Sequence, residues 1–186
     1  MNLFDLVAPL YERLIPPPDP AVLAELLGLP AETRLLDAGG GTGRVSARLA
    51  PLTAGVVVND ESARMLAQAR RDHGLPAVRA HAEGLPYADG LFGRILVVDA
   101  LHHFRSAEAA IVEMARVLAP GGRLVIEEPN IHTGAIKRLA FLEKLALMRS
   151  RFLSPERISE LVVAQGLAAR MVHDGHTVWV VGDKPA

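Results

Sequence analysis

The chain has 186 residues, half of them hydrophobic, with 20 Lys plus Arg against 21 Asp plus Glu for a formal net charge of -1, and no cysteine. A chain of that length buries roughly 70% of its unfolded surface in one core, and the missing cysteines exclude disulfides, thiolate metal sites and a thiol nucleophile. The balanced, scattered charge and only eight aromatic residues argue against a nucleic-acid partner, which needs clustered cations or stacking platforms.

The chain opens Met1-Asn2-Leu3-Phe4-Asp5, with no basic region before an apolar run, so no secretory signal is expected. No window reaches the roughly 18 apolar residues of a membrane span, and the expected location is cytoplasmic. Leu3, Leu6, Val7, Leu10 and Leu14 recur at helical spacing until Pro16-Pro17-Pro18-Asp19-Pro20 stops the helix. Residues 1–30 thus read as a helical leader, with a second short helix at 21–27 ended by Gly28 and Pro30.

From residue 33 strands and helices alternate. A strand is predicted at 34–37, then the cluster Gly39-Gly40-Gly41-Thr42-Gly43 and a helix at 44–50 closed by Pro51. A strand at 55–60 leads to a helix at 62–71 with Ser62 as its N-cap. A third strand at 77–81 precedes the turn-rich stretch 84–90, a fourth runs over 94–99, and a helix follows at 107–118. After the turn Pro120-Gly121-Gly122 comes a fifth strand at 123–127. Apolar helix 136–148 and helix 154–165 follow, and the hairpin His173-Asp174-Gly175-His176 joins strands at 168–172 and 177–181. The pattern predicts an α/β fold in one domain, 1–186: a doubly wound, mostly parallel sheet with a C-terminal antiparallel hairpin.

A glycine cluster between a buried strand and a helix marks a nucleotide site at the carboxyl edge of such a sheet. The dinucleotide fingerprint needs a third glycine where this chain has Arg44. The spacing Asp37, Gly39, Gly41, Gly43 instead resembles motif I of the class I S-adenosylmethionine (SAM) dependent methyltransferases. Asp60-Glu61-Ser62 with Met65-Leu66 is similar to their second motif. Ala82-Glu83-Gly84-Leu85-Pro86-Tyr87 resembles a stretch of the ubiquinone/menaquinone-biosynthesis-like group, and Val117-Leu118-Ala119-Pro120-Gly121-Gly122 resembles the signature before strand five. The resemblance implies a Rossmann-like sheet of seven strands and SAM as cofactor, with S-adenosyl-L-homocysteine (SAH) as product. The implied cofactor set is Asp37, Gly39, Gly41, Gly43, Asp60, Glu61, His81, Ala82, Glu83 and Asp99. Asp60 lies close to the spacing at which an acid reaches ribose hydroxyls. Asp37 either organises the loop at the amino-acid end of SAM or simply forms a turn.

The sequence departs from the family pattern twice. His81 stands where an acid usually accepts from the adenine amino group, so either its neutral ring accepts through one nitrogen or it fills space beside the base. Gly93 replaces an acid at the start of strand four, which points to a change of local packing.

Methyl transfer needs alignment, and a base where the nucleophile arrives protonated. Asp99, His102 and His103 follow strand four, and Glu127, Glu128 and Asn130 follow strand five. His102, His103 and Tyr11 are the catalytic candidates, with the alternatives that the histidines pack and cap and that Tyr11 anchors the leader. His173 and His176 straddle a hairpin, so no metal is expected, and Ser46 and Ser62 suggest no hydrolase triad. Residues 129–153 form a candidate substrate lid; the apolar helix within them equally suits a core or a homodimer contact. The expected partner is a small-molecule methyl acceptor, quinone-like or lipid-like. The rival readings are a nicotinamide-dependent oxidoreductase and a noncatalytic SAM-binding protein.

Overall fold

The computed structural model describes residues 18–129, 151–175 and 177–186. The leader helix with Tyr11, the lid helix at 136–148, Asn130 and His176 lie outside the described residues.

Helix α1 (Pro20–Leu27) is set by local chemistry. The Asp19 carboxylate accepts from the Ala21 N–H, Pro20 occupies the first turn, and Gly28 ends the helix in the left-handed conformation at φ 64°. Strand β1 (Ala31–Ala38) follows, then the glycine loop, the short helix α2 (Ser46–Leu49) and a 3-10 turn at Ala50–Leu52. Next come β2 (Thr53–Asp60), α3 (Ala63–His73), β3 (Ala77–Arg79), β4 (Phe92–Val98), a 3-10 turn at Leu101–His103, and α4 (Ala107–Val117). The chain finishes with β5 (Leu118–Pro129), α5 (Pro155–Val163), β6 (Ala168–Asp174) and β7 (Thr177–Asp183).

The seven strands lie in the order β3-β2-β1-β4-β5-β7-β6. β1 to β5 are parallel, and β7 enters antiparallel between β5 and β6. Leu35 and Leu36, adjacent on β1 and both wholly buried, face opposite layers. Leu35 packs with Leu23 and Leu27 of α1, Leu49 of α2 and Leu66 of α3. Leu36 packs with Ile111 and Met114 of α4 and Ile158 and Val162 of α5. Side chains of successive strand residues point to opposite faces, so a strand apolar at every position requires helices on both. Because β2 and β3 lie to one side of β1 while β4 and β5 lie to the other, the chain switches direction between β1 and β4. Ligands of open α/β sheets bind at that place.

Several expected boundaries move. The helix expected at 44–50 is one turn only, because the Gly43 N–H bonds back to the Gly40 carbonyl and keeps the chain in the loop. β3 stops at Arg79 rather than at 81 because its partner β2 ends at Asp60, opposite Arg79. β5 begins at Leu118, which pairs with Phe92, and the Pro120-Gly121-Gly122 turn is taken up by a register shift between Phe92 and Arg94. Gly93 answers to packing, as expected. Its N–H donates to Thr33 Oγ1 at 3.1 Å, and a Cβ there would stand 2.2 Å from the same oxygen.

Candidate functional site

The glycine loop rides on the end of β2. The N–H groups of Gly39 and Gly40 both donate to the Asn59 carbonyl, at 2.8 and 3.1 Å, and the Gly41 N–H donates to Asp60 Oδ2 at 3.0 Å. Gly39, Gly41 and Gly43 all have positive φ, at 75°, 55° and 70°, which L side chains resist. Close contacts make the same demand. A Cβ on Gly39 would meet the Ala100 Cβ at 2.7 Å, one on Gly40 the Asp37 carboxyl at 2.3 Å, and one on Gly43 the Leu75 side chain at 2.9 Å. The loop therefore lies pressed between the ends of β1, β2 and β4 with its donors turned inward. A pyrophosphate site needs such N–H groups presented outward at the start of a full helix. Here they are engaged, and the helix that follows is a single turn.

Two carboxylates remain at the crevice. Asp60 accepts from Gly41 through Oδ2 and from the Ser62 N–H through Oδ1 at 2.8 Å, and the Glu61 backbone adds a third hydrogen bond. A carboxylate has about four acceptor sites, so one remains for a further donor. Burial raises its pKa and the backbone hydrogen bonds oppose that rise. Asp37 is 2% exposed, and its Oδ2 has no hydrogen-bond partner among the described residues. Burial pushes its carboxyl up to about 6, against the Ser46 hydrogen bond and with the Asp60 charge adding to the effect. A buried carboxylate oxygen without a donor is costly. It fits a ligand that brings positive charge or a donor and disfavours one that brings phosphate. The donor-poor loop, the acid at the β2 end and the orphaned Asp37 oxygen together fit a nucleoside sulfonium such as SAM.

The other expected cofactor residues divide. His81 and Glu61 are exposed and pair with each other, His81 Nδ1 lying 3.2 Å from Glu61 Oε2. Ala82 is buried in the core. The Glu83 side chain is turned towards α4, where its Oε1 accepts from the Ser106 N–H at 3.1 Å and supplements the Ser106 cap of that helix. The Leu85-Pro86-Tyr87 stretch is likewise held from α4. Glu113 accepts from the Leu85 N–H, and Arg116 donates to the Leu85 and Tyr87 carbonyls.

At the ends of β4 and β5 the chain is rich in titratable groups. Asp99 has φ 51°, a left-handed conformation at a non-glycine residue, and such outliers concentrate where function holds them. His102 Nδ1 lies 2.6 Å from Glu128 Oε2, both side chains being almost wholly buried, and Glu128 Oε1 accepts from the Leu101 N–H at 2.8 Å. The Phe152 ring stacks on His102 at 4.2 Å, and the His103 ring tilts against it at 4.0 Å. Burial first, and the neighbouring His102 ring after it, push His103 down to about 3, which leaves it a neutral packing group at ordinary pH. Glu127, on the opposite face of β5, accepts from the Trp179 indole N–H at 2.6 Å. Its carboxyl is pushed up to about 7, by burial first and by the Asp99 and Glu128 charges after it, against the Trp179 bond.

Sequence reasoning missed Asn59, whose carbonyl pins the loop, and Trp179, which holds Glu127 from β7. Neither has a local signature, since each acts through a partner on another strand. Among the described residues no group of His, Asp and Glu could hold a metal ion, and no helix is long and apolar enough to cross a membrane. Ser46 donates to the Gly43 carbonyl, and Ser62 caps α3 by accepting from the Met65 N–H; both are structural.

Residues 36–126 match the model of a family described as a methyltransferase domain. A demethylmenaquinone methyltransferase of Thermus thermophilus is 31% identical, the match covering 83% of this chain and 84% of that one. A demethylmenaquinone methyltransferase of Beutenbergia cavernae is 41% identical over 105 residues, 56% of this chain. The chain spans 44% of the Beutenbergia protein's length. Among solved structures, a SAM-dependent methyltransferase of Thermotoga maritima, described as a possible histamine N-methyltransferase, superposes with a TM-score of 0.79. It is 23% identical, with 98% of each chain covered, and shares the fold.

Proposed function

This chain belongs to the class I SAM-dependent methyltransferases, in the ubiquinone/menaquinone-biosynthesis-like group, and from that premise we propose that it methylates a small, flat, quinone-like acceptor in its reduced, hydroxyl-bearing form. The observation that carries the reading is the glycine loop whose donors are turned onto Asn59 and Asp60, beside the unpartnered Asp37 oxygen. That chemistry suits an adenosyl sulfonium and disfavours the phosphates of a nicotinamide cofactor.

In this reading SAM supplies an electrophilic methyl group on a sulfur that leaves as a neutral thioether. The residues of this chain do the holding. Asp60 takes a ribose hydroxyl on its remaining acceptor site, and Asp37 sets a negative potential at the β1 end. His81, held by Glu61, sits at the outer rim where the base lies. Ala82 and Glu83 support that rim from the core and from the start of α4. Asp99 and the turn after it form the wall on the β4 side. The acceptor lies beyond that wall, over the β4 and β5 ends, where a ring hydroxyl needs a proton acceptor before its ring becomes a nucleophile. Residues 129–153 as a cover, Tyr11 as a contact from the leader, and a homodimer are further parts of the proposal.

Calorimetry with SAH and with NADH, followed by turnover of reduced 1,4-naphthoquinone with radiolabelled SAM, tests it. The expected result is SAH binding at micromolar or better affinity, no heat with NADH, and label in the naphthol product. Binding of NADH without SAH overturns the cofactor reading, and SAH binding without any labelled product overturns the acceptor reading.

A further inference from the structure

The most fully built constellation outside the cofactor crevice is the buried pair of His102 and Glu128. We propose that His102, oriented by Glu128, is the base that takes the hydroxyl proton of the acceptor; this rests on the methyltransferase reading above. The turn carrying His102 lies against the start of the cofactor loop, since the absent Gly39 side chain would touch Ala100. Glu128 stands near the end of the neighbouring strand β5. The pair therefore spans the β4 and β5 ends, on the other side of the loop from Asp60.

Three features suit a base. In this proposal Nδ1 donates to Glu128 across the 2.6 Å contact, so the ring keeps its basic lone pair on Nε2, on the side away from Glu128. The carboxylate is itself fixed, because its other oxygen accepts from the Leu101 N–H. The ring is held by Phe152, stacked at 18° between planes, and by His103. Among the described residues, Glu128 and His103 contact His102, and Glu127 on the other face of β5 feels the charges of Asp99 and Glu128. A neutral His103 opposes no positive charge forming on His102. Stability alone gives no reason for the pair, since apolar side chains of similar volume serve a core as well or better. In the step, the acceptor O–H bond breaks, the proton passes to Nε2, and the electron pair stays on oxygen and is shared with the ring carbon that takes the methyl group. That carbon then loses its own proton as the oxygen regains one, and His102 releases its proton to water.

The test uses the full chain with 1,4-naphthalenediol and a series of ring-halogenated analogues whose hydroxyl groups are increasingly acidic. His102→Gln is expected to lower kcat on the least acidic member by roughly 10²–10⁴-fold, with KM and SAH affinity held within about twofold. It is also expected to erase the acidic limb of the pH profile. The deficit closes as the acceptor becomes acidic enough to arrive ionised. Glu128→Gln gives a smaller loss of the same kind, and nitrogen NMR of the unsubstituted protein finds the proton of His102 on Nδ1. If His102→Gln does not fold, Glu128→Gln and the NMR measurement decide. A proton found on Nε2, an unchanged kcat, or a deficit independent of acceptor acidity overturns the proposal while leaving the methyltransferase reading intact. A wild type that binds SAH and methylates no member of the series overturns the acceptor reading and this proposal together.

Discussion

The two halves of the carboxyl edge are built on different principles. On the β1–β3 side the site is made of backbone: three glycines at positive φ, inward-turned N–H groups, and one carboxylate tying the loop down. On the β4–β5 side it is made of buried polar side chains joined between neighbouring elements, His102 with Glu128 and Glu127 with Trp179. A backbone site is rigid and tolerates no added atom, whereas a side-chain site keeps its shape and changes its charge with pH. One half suits a constant ligand and the other suits proton chemistry.

The sharpest way to break that contrast is at Gly39. An alanine there combines a φ of 75° with a contact of 2.7 Å to Ala100, together about 2–5 kcal/mol of strain and overpacking. Calorimetry should find SAH affinity reduced by more than about 100-fold. Near-normal binding would mean that the loop is not the rigid element described.

Next in size is Glu127, and here the prediction concerns pH. Its folded pKa of about 7 lies above the ordinary glutamate value of 4.5, so the folded chain holds this proton more tightly than the unfolded chain. The resulting stabilisation is complete below the unfolded value and lost as pH rises through about 7. Asp37 acts in the same sense up to about 6. Glu127→Gln should therefore leave stability at pH 5 nearly unchanged and raise it at pH 8 by roughly 1–3 kcal/mol, read by urea denaturation. Equal destabilisation at both pH values would show that the carboxyl does something other than sit buried.

The smallest effect belongs to His81, exposed and paired with the likewise exposed Glu61. His81→Asp should change SAH affinity less than about fivefold, since exposed pairs contribute little. A larger gain would move His81 from the rim into direct contact with the base.

The two halves also differ in what the sequence discloses. Asp37, the glycines, Asp60 and the Ser62 cap lie within short, spaced runs whose residue types carry their own reasons, so the loop and its acid were legible. The mostly parallel sheet and its antiparallel end followed from the alternation of strands and helices and from the terminal hairpin, whereas the order of the strands came only from the fold. The hold of Glu83 on α4 was not legible, because its partner, the Ser106 N–H, lies 23 residues away and no local spacing reports it. His102 could be nominated by its place after strand four, but its pairing with Glu128 is a contact between the turn after β4 and strand β5 that only the fold creates. The shortened helix after Gly43 had a local cause instead, a backbone bond from Gly43 to Gly40 that competes with helix formation.

The position of β7 bears on how the chain is made. Pairing along Arg123–Pro129 needs Thr177–Asp183, so while the polypeptide emerges, a long apolar strand that will end at the centre of one side of the sheet waits as an open edge. Open edges of that kind recruit other chains. A ribosome stalled between these two segments would expose the strand that carries Glu127 and Glu128, and the last strand added is also the one that removes the hazard.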